Sequence, residues 1–197
     1  MPNLRSTWLI FSGFISIDCG ATAAYNDSVT GVTWVPDANY ISVGKNFANV
    51  PGSSLFAQAY STLRYFDEPR DKYCYVLPGT VVGMAYMIRY GFWYGSYDNA
   101  ATEPTFNVSI DATQVWTFGS SSFGNTDTIQ YEHLYIATKN TIDFCLLRDQ
   151  AGGSNPFISS LELRTYAANS FTEPSLLAGN YFIKLLRYNI GGSGQVR

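Results

Sequence analysis

A short cluster of aromatic and acidic residues is the part of this sequence best suited to bind a small polar molecule. The run from Trp93 to Asp98 reads WYGSYD and places two tyrosines and a carboxylate within one turn. An aromatic ring can pack in a core, or lie against the C–H face of a sugar while a nearby carboxylate accepts hydrogen bonds from the hydroxyls. We therefore take Tyr94, Tyr97 and Asp98 as candidate ligand contacts, with core packing as the alternative.

The stretch that leads into this turn is typical of a β-strand. Large apolar side chains recur at every second position: Tyr86, Ile88, Tyr90, Phe92 and Tyr94. Because side chains alternate between the two faces of a strand, these five are expected to share one face. The predicted strand leads directly into the candidate turn at 95–98, so the predicted core and the candidate site are adjacent.

Short alternating stretches of the same kind recur along the chain and are separated by turn residues. They predict strands at about 13–19, 63–66, 73–79, 104–116, 132–137, 141–148 and 157–164, with 132–137 as the partner of 104–116. Residues 21–49 are rich in turn signals and predict a long ordered loop with brief extended pieces, anchored by Trp34 and Tyr40. No long amphipathic helix pattern precedes residue 170. The sequence therefore predicts an all-β domain, a β-sandwich of the jelly-roll kind with long ordered loops.

Composition excludes several classes of function. The net charge is −3, and no cluster of lysine and arginine is present to neutralise phosphates, so a nucleic-acid partner is not expected. No stretch of about 18 apolar residues occurs, so the chain as given has no transmembrane helix. At 197 residues, the chain is long enough to bury one substantial core.

Catalytic signatures are also absent. His133 is the single histidine and has no second histidine or cysteine at ligand spacing, so no metal site is expected. The sequence has no nucleophile elbow, phosphate loop or dinucleotide fingerprint, so neither a cofactor nor a catalytic residue is predicted. A carboxylate pair such as Asp37 and Asp98 across a cleft is the remaining route to a glycosidase, but carboxylates in turns are mostly solvated. We expect a protein that is not an enzyme.

Three cysteines and two sequons bear on the cellular compartment. Cys19, Cys74 and Cys145 allow at most one internal disulfide; the latter two lie on predicted strands, where they could be buried thiols or a bridge. The triplets NDS and NVS predict N-glycosylation at Asn26 and Asn107, which favours the secretory pathway. The second sequon alternates with apolar residues, so a strand there is expected to turn it to solvent.

Six motifs in order resemble a known family, the malectin-like ectodomain of plant receptor-like kinases. They are FISIDCG at 14–20, WVPDANYI followed by glycine at 34–44, RYF with YCYVL at 64–77, IRYGFWYGSYD at 88–98, FCL at 144–146 and NPFISSLELR at 155–164. Each alone is weak. Together, in register over roughly 14–166, they are specific.

The resemblance implies an architecture and a location. It implies a malectin-type β-sandwich, usually one of two tandem modules ahead of leucine-rich repeats, a membrane span and a kinase. The expected organisation is a remnant or truncated signal segment at 1–13, a malectin-like domain at 14–170 and the start of a truncated second malectin module at 171–197. The parent protein is then expected to be membrane-anchored and to place this module on the extracellular side of the plasma membrane, although this chain lacks a clear signal peptide.

The resemblance also implies a ligand class. Animal malectin binds a glucose disaccharide through loop aromatics and carboxylates, whereas some plant relatives bind peptides or partner proteins instead. The matching turn here is Tyr94–Asp98, with Ser96 where the family usually has asparagine. Asp37 and Tyr40 are second candidates, and their alternative role is to anchor the long loop. The expected partner is an oligosaccharide or cell-wall glycan, or else a secreted peptide or co-receptor.

Overall fold

A computed structural model describes residues 14–100, 102–119, 122–123, 127–149, 154–166 and 182–183. Its strands are β1 (Phe14–Asp18), β2 (Tyr25–Asn26), β3 (Thr33–Pro36), β4 (Lys45–Ala48), β5 (Thr62–Tyr65), β6 (Lys72–Pro78), β7 (Ala85–Phe92), β8 (Phe106–Ile110), β9 (Thr113–Phe118), β10 (Ile129–Ile136), β11 (Thr141–Arg148), β12 (Phe157–Ile158), β13 (Ser160–Thr165) and β14 (Phe182–Ile183). Three short 3₁₀ turns lie at Asp37–Asn39, Ser53–Leu55 and Gln58–Tyr60. The predicted all-β class is confirmed.

Among the described residues, the strands form three sheets. The largest has the order β14-β10-β7-β13-β1-β3-β2, the second has the order β6-β11-β8-β9, and the smallest has the order β12-β5-β4. The pairing of β1 with β3 is parallel, and the other pairings in the described ranges are antiparallel. The two larger sheets pack face to face, as a sandwich requires.

The core lies between the two larger sheets, on the face of β7 that the alternation predicted. The Tyr90 ring centroid lies 4.9 Å from that of Phe144 in β11, and the Phe92 centroid lies 5.7 Å from that of Phe106 in β8. All four of these rings are buried. Tyr94 is also buried but lies beyond the end of the strand, in the segment that opens the candidate turn.

The opposite face of β7 is also covered, which the sequence pattern did not predict. Arg89 is only 4% exposed; its Nε donates to Glu132 Oε1 at 2.7 Å and its Nη1 to Glu162 Oε1 at 3.3 Å. The three residues are directly opposed across β13, β7 and β10. A register slip of one residue would bury unpaired charges, so this row helps to fix the strand alignment.

One predicted strand proved to be a hairpin. The stretch 104–116 divides into β8 and β9, which pair with each other around Asp111, a residue with a positive φ of 51°. Aspartate tolerates this left-handed conformation better than most residues, so it can occupy a tight turn. The expected pairing of this stretch with 132–137 is therefore wrong, since β10 pairs with β7 and β14.

The cysteines resolve the alternatives left open above. Cys74 and Cys145 form a disulfide between directly paired positions of β6 and β11, and Cys19 is a buried free thiol. Within the described ranges, no helix is long and apolar enough to cross a membrane. The expected segment 1–13 and all of 171–197 except β14 lie outside the described residues.

Candidate functional site

Trp93 fixes the candidate turn against the neighbouring loop. Its indole Nε1 donates to the carbonyl oxygen of Pro51 at 2.8 Å, and its backbone N–H donates to Ser159 Oγ at 3.0 Å. Gly95 follows with a φ of +52°, and a Cβ at this position would lie 2.5 Å from the same Pro51 oxygen. Glycine is therefore required for the close approach of the two loops. Trp93 is only 3% exposed and serves as an anchor.

Tyr94 forms a hydrogen bond with Asp98 within the turn. The Tyr94 hydroxyl donates to Asp98 Oδ1 at 2.6 Å, and the backbone N–H of Ala100 donates to the same oxygen at 3.2 Å. Burial, followed by the nearby Asp98 carboxylate, raises the pKa of Tyr94 well above its usual value. Asp98 itself is exposed, and its Oδ2 accepts no hydrogen bond from the described residues. Tyr94 thus orients a carboxylate that has one oxygen available.

Tyr97 packs as a core residue but keeps an unused polar atom. Its ring centroid lies 5.5 Å from those of Phe47 and Tyr65 and 5.7 Å from that of Phe157. The residue is 6% exposed, and its hydroxyl is buried with no hydrogen-bond partner among the described residues. A buried polar atom left unpaired costs about 1–3 kcal/mol. Most buried polar atoms in proteins have a partner, so the Tyr97 hydroxyl stands out.

Tyr97 and Asp98 line a small cavity of about 150 Å³, which we call the Tyr97 pocket. Its other lining residues are Phe47, Tyr65 and Asn155. Phe47 and Tyr65 come from the neighbouring strands β4 and β5 and are half-buried. Asn155 Oδ1 accepts a hydrogen bond from the Arg148 side chain, at 3.2 Å, which leaves the Asn155 amide nitrogen without a partner among the described residues. The pocket therefore combines aromatic faces, a carboxylate and an amide. It is smaller than the roughly 300 Å³ at which drug-sized sites begin.

Asp37 does not join this pocket. It is fully buried; Arg64 Nε donates to its Oδ2 at 2.5 Å and Arg64 Nη2 donates to its Oδ1 at 2.6 Å. The backbone N–H of Gly20 and the Tyr75 hydroxyl also donate to Oδ2, at 3.2 and 3.1 Å. Both carboxylate oxygens thus accept hydrogen bonds inside the protein, and the side chain is closed to solvent. The structure gives Asp37 the anchoring role that the sequence left as the alternative.

Tyr40 lies at a different place. It is half-buried and lines a separate cavity of about 540 Å³ together with Phe14 and Val32. Its backbone oxygen accepts a hydrogen bond from the Val76 N–H at 3.0 Å. Of the five predicted ligand contacts, the pocket therefore brings together Tyr97 and Asp98, with Tyr94 behind them.

The two sequons differ in exposure. Asn26 is exposed, and its Oδ1 accepts a hydrogen bond from the Thr33 hydroxyl at 2.6 Å. Asn107 is half-buried and accepts from the Thr117 hydroxyl at 2.7 Å, while Ser109 is only 3% exposed. Asn107 is therefore only partly accessible, and the expectation that this sequon faces solvent fails for Ser109. Ser109 lies opposite the disulfide cysteine Cys145, next to a bulge in the strand.

Three pocket residues were missed from the sequence. Tyr65 and Asn155 lie within the quoted motifs RYF and NPF, so their membership in those motifs was an available signal. Phe47 is an isolated aromatic residue in a turn-rich stretch, and nothing in its surroundings marks it. All three reach the pocket through contacts between residues far apart in sequence.

No catalytic arrangement accompanies the pocket in the described part of the chain. His133 is fully buried, and a hydrogen bond of 2.9 Å joins its Nε2 to the Tyr90 hydroxyl. Burial lowers the pKa of His133 to about 4, so the ring is neutral near pH 7. The described residues contain no group of three or more histidine, cysteine or acidic side chains that could hold a metal ion.

Comparison with known sequences places these observations in a family context. The Malectin-like domain profile matches residues 17–197. The chain is 32% identical over 165 residues to the leucine-rich repeat receptor-like serine/threonine-protein kinase At2g14510 of Arabidopsis thaliana, covering 81% of this chain and 18% of that protein. It is 34% identical over 161 residues to the nodulation receptor kinase of Pisum sativum, covering 82% of this chain and 16% of that protein. The chain thus spans less than a fifth of these relatives.

Solved structures show the same fold. A crystal structure of the plant receptor-like kinase FER has a TM-score of 0.66 and 20% identity, covering 80% of this chain and 43% of that one. The ANX2 ectodomain from Arabidopsis thaliana has a TM-score of 0.65 and 18% identity, with coverages of 78% and 42%. A structure of the plant peptide RALF23 in complex with FER and LLG2 has a TM-score of 0.64 and 19% identity, with coverages of 81% and 41%.

Proposed function

The chain belongs to the malectin-like domain family, and we propose that it is a non-catalytic module that binds a carbohydrate through the Tyr97 pocket. The observation that carries this proposal is the buried Tyr97 hydroxyl, which has no partner among the described residues and belongs to a residue that lines an aromatic pocket with Asp98 and Asn155. The relatives are receptor-like kinases, so the module would act on the extracellular side of the plasma membrane as part of a longer, membrane-anchored receptor.

The pocket chemistry matches the surface of a sugar. Each sugar hydroxyl can both donate and accept, and the pocket offers an acceptor in Asp98 Oδ2, a donor in the Asn155 amide and a group of either kind in the Tyr97 hydroxyl. The rings of Phe47 and Tyr65 supply faces for the C–H side of a sugar ring. A cavity of about 150 Å³ accommodates part of one ring, so binding is expected to be weak and to depend on few contacts.

The test is a chemical-shift titration of the 197-residue chain with glucose disaccharides and cell-wall oligosaccharides. Tyr97→Phe keeps the ring and its packing but removes the hydroxyl, so it should weaken sugar binding about fivefold to tenfold. Asp98→Ala should weaken it further. Tyr40→Phe is the matched control, because this hydroxyl belongs to a residue that lines the other cavity. Saturable binding that survives both pocket changes would contradict the assignment.

A second candidate is a peptide or co-receptor. The specific observation in its favour is that FER, which shares the fold, has been solved in complex with the peptide RALF23 and LLG2. In that case the pocket would hold one side chain of an extended partner, with the same five lining residues. The two candidates separate in one experiment. The peptide or co-receptor would be favoured if the chain is folded and its pocket resonances shift with a secreted peptide but not with any glycan.

We also propose that Asn26 and Asn107 carry N-linked glycans when the chain is exported. Both asparagines begin a complete sequon, and Asn26 is exposed. Treatment of the secreted chain with a glycosidase that removes N-glycans should lower its mass in two steps. Asn26→Gln and Asn107→Gln should each lower the mass of the secreted chain by one glycan before treatment. A variant that is as heavy as the native glycoprotein would remove that site from the proposal.

A further inference from the structure

The charged side chain that lines the Tyr97 pocket is Asp98. Burial, followed by the neighbouring charges, raises the pKa of Tyr97, and the charged groups that contribute are Asp98 and Asp67. Both raise it, as negative charges must. Asp98 stands at the exposed edge of the pocket, and the Tyr94 hydroxyl holds it in place through Oδ1 at 2.6 Å. The Asp98 carboxylate, whose Oδ2 accepts no hydrogen bond from the described residues, is thus held beside the aromatic rings.

Two cations lie near the pocket but do not line it. Lys45 Nζ lies 2.6 Å from Asp67 Oδ2, so that pair is already matched. Arg148 donates to Asn155 Oδ1 and, through Nη2, to two backbone carbonyls and a tyrosine hydroxyl. None of the ion pairs among the described residues includes Asp98. Asp98 lines the pocket directly and these cations do not, so the charge closest to a ligand there is the Asp98 carboxylate.

We infer that the pocket selects sugars by charge, favouring those that bear an ammonium group and rejecting those that bear a carboxylate, with Asp98 as the deciding residue. This inference rests on the proposed sugar binding. An ammonium group can pair with Asp98 Oδ2 and lie over the face of Tyr65 or Phe47, where a cation is attracted by the ring. A sugar carboxylate in the same place meets a like charge and the same electron-rich faces.

The test uses three sugars of the glucose series that differ in charge: methyl glucoside is neutral, glucosamine carries an ammonium group at C2 and glucuronate carries a carboxylate at C6. They are titrated against the full chain at about pH 6, where the amine is protonated and the carboxylate ionised. Because Asp98 is exposed, each charge should change the affinity by about threefold, so glucosamine should bind about tenfold more tightly than glucuronate. Added salt should shrink this ratio, since exposed charges are screened.

Asp98→Asn tests the deciding residue without removing its shape. The ratio between glucosamine and glucuronate is measured within each variant, so a general loss of affinity cancels, and the ratio should fall to about one. Asp143→Asn is the control, because it removes the same charge far from the pocket. Asp143 lies on β11, five residues before Arg148, and this separation is about 17 Å along the strand. That variant should keep the ratio of the native chain.

The outcomes separate the two proposals. If methyl glucoside binds but the native chain gives a ratio near one, the charge inference is overturned while sugar binding stands. A ratio that persists in Asp98→Asn overturns the assignment to Asp98. If none of the sugars binds to a folded chain, the proposed function fails, and the inference fails with it.

Discussion

Two buried tyrosine hydroxyls differ in what they contact, and this difference predicts their effect on stability. Tyr75 is fully buried and donates to Asp37 Oδ2 at 3.1 Å, whereas the Tyr97 hydroxyl has no partner in the described part of the chain. Tyr75→Phe should lower the free energy of unfolding by about 1–2 kcal/mol, and Tyr97→Phe should leave it unchanged or raise it by up to about 1 kcal/mol. Urea unfolding measures both. Equal losses would show that Tyr97 has a partner we have not identified.

The ion pairs differ in the same way. Asp37 and Arg64 form a buried pair, whereas Lys45 and Asp67 form a pair at the surface. Asp37→Ala leaves a buried guanidinium unpaired and should cost about 3–5 kcal/mol of unfolding free energy. Asp67→Ala should cost less than about 1 kcal/mol. Urea unfolding of the two variants provides the comparison, and a loss below about 1 kcal/mol for Asp37→Ala would show that this pair does not anchor the loop.

At this scale, sequence identifies residue types but not their partners. Tyr97 and Asp98 could be predicted as pocket residues because they lie together in one turn. Asp37 looked equally exposed in a turn-rich stretch, and its burial depends on Arg64, which is 27 residues away. Phe47 enters the pocket by the same kind of long-range contact. Pairing over such distances is set by the fold and is not encoded in local spacing.

At the scale of the element, β7 shows what an alternating pattern can and cannot predict. The pattern predicted the buried face correctly from Tyr86 to Phe92. It did not predict that the opposite face is also covered, because Arg89 looks like a solvent residue until Glu132 and Glu162 are placed beside it. Strand existence follows from local period, whereas sheet order follows from contacts between distant strands.

Gly91 tests the covered face of β7. A Cβ at this position would lie 2.5 Å from Ser160 Oγ and 2.6 Å from the Tyr60 hydroxyl. Gly91→Ala should therefore displace Tyr60 and lower the unfolding free energy by about 1–3 kcal/mol. Gly119→Ala is the control, since a Cβ there meets nothing within 4 Å. Thermal unfolding distinguishes them; equal melting temperatures would mean that β7 and Tyr60 are not packed as described.

At the scale of the whole molecule, Asp18 on β1 and His133 on β10 have opposite effects on how the unfolding free energy depends on pH. Asp18 receives hydrogen bonds from Thr62 and Tyr25, and burial raises its pKa from 3.8 to about 6. Burial lowers the pKa of His133 from 6.5 to about 4. Between about pH 4 and pH 6, the folded chain thus keeps a proton on Asp18 that the unfolded chain loses, and lacks one on His133 that the unfolded chain gains.

The sign of each contribution follows from this proton count. The stability from Asp18 is fully present below about pH 4 and is lost as pH rises through about 6, whereas the stability from neutral His133 is present above about pH 6.5 and is lost as pH falls through about 4. Each amounts to about 3 kcal/mol, so the two nearly cancel. Asp18 and His133 together should therefore add little net pH dependence to stability across this range, although each is strongly shifted.

Removing one of the two groups should reveal the pH dependence of the unfolding free energy that the other group causes. Asp18→Asn leaves His133, so the unfolding free energy should fall by about 3 kcal/mol as pH is lowered from about 6.5 to 4. His133→Gln leaves Asp18, so the unfolding free energy should rise over the same range. Comparing slopes within each variant removes any constant loss from the substitution itself. Urea unfolding at several pH values measures them, and two variants with slopes of the same sign would contradict the opposition between Asp18 and His133.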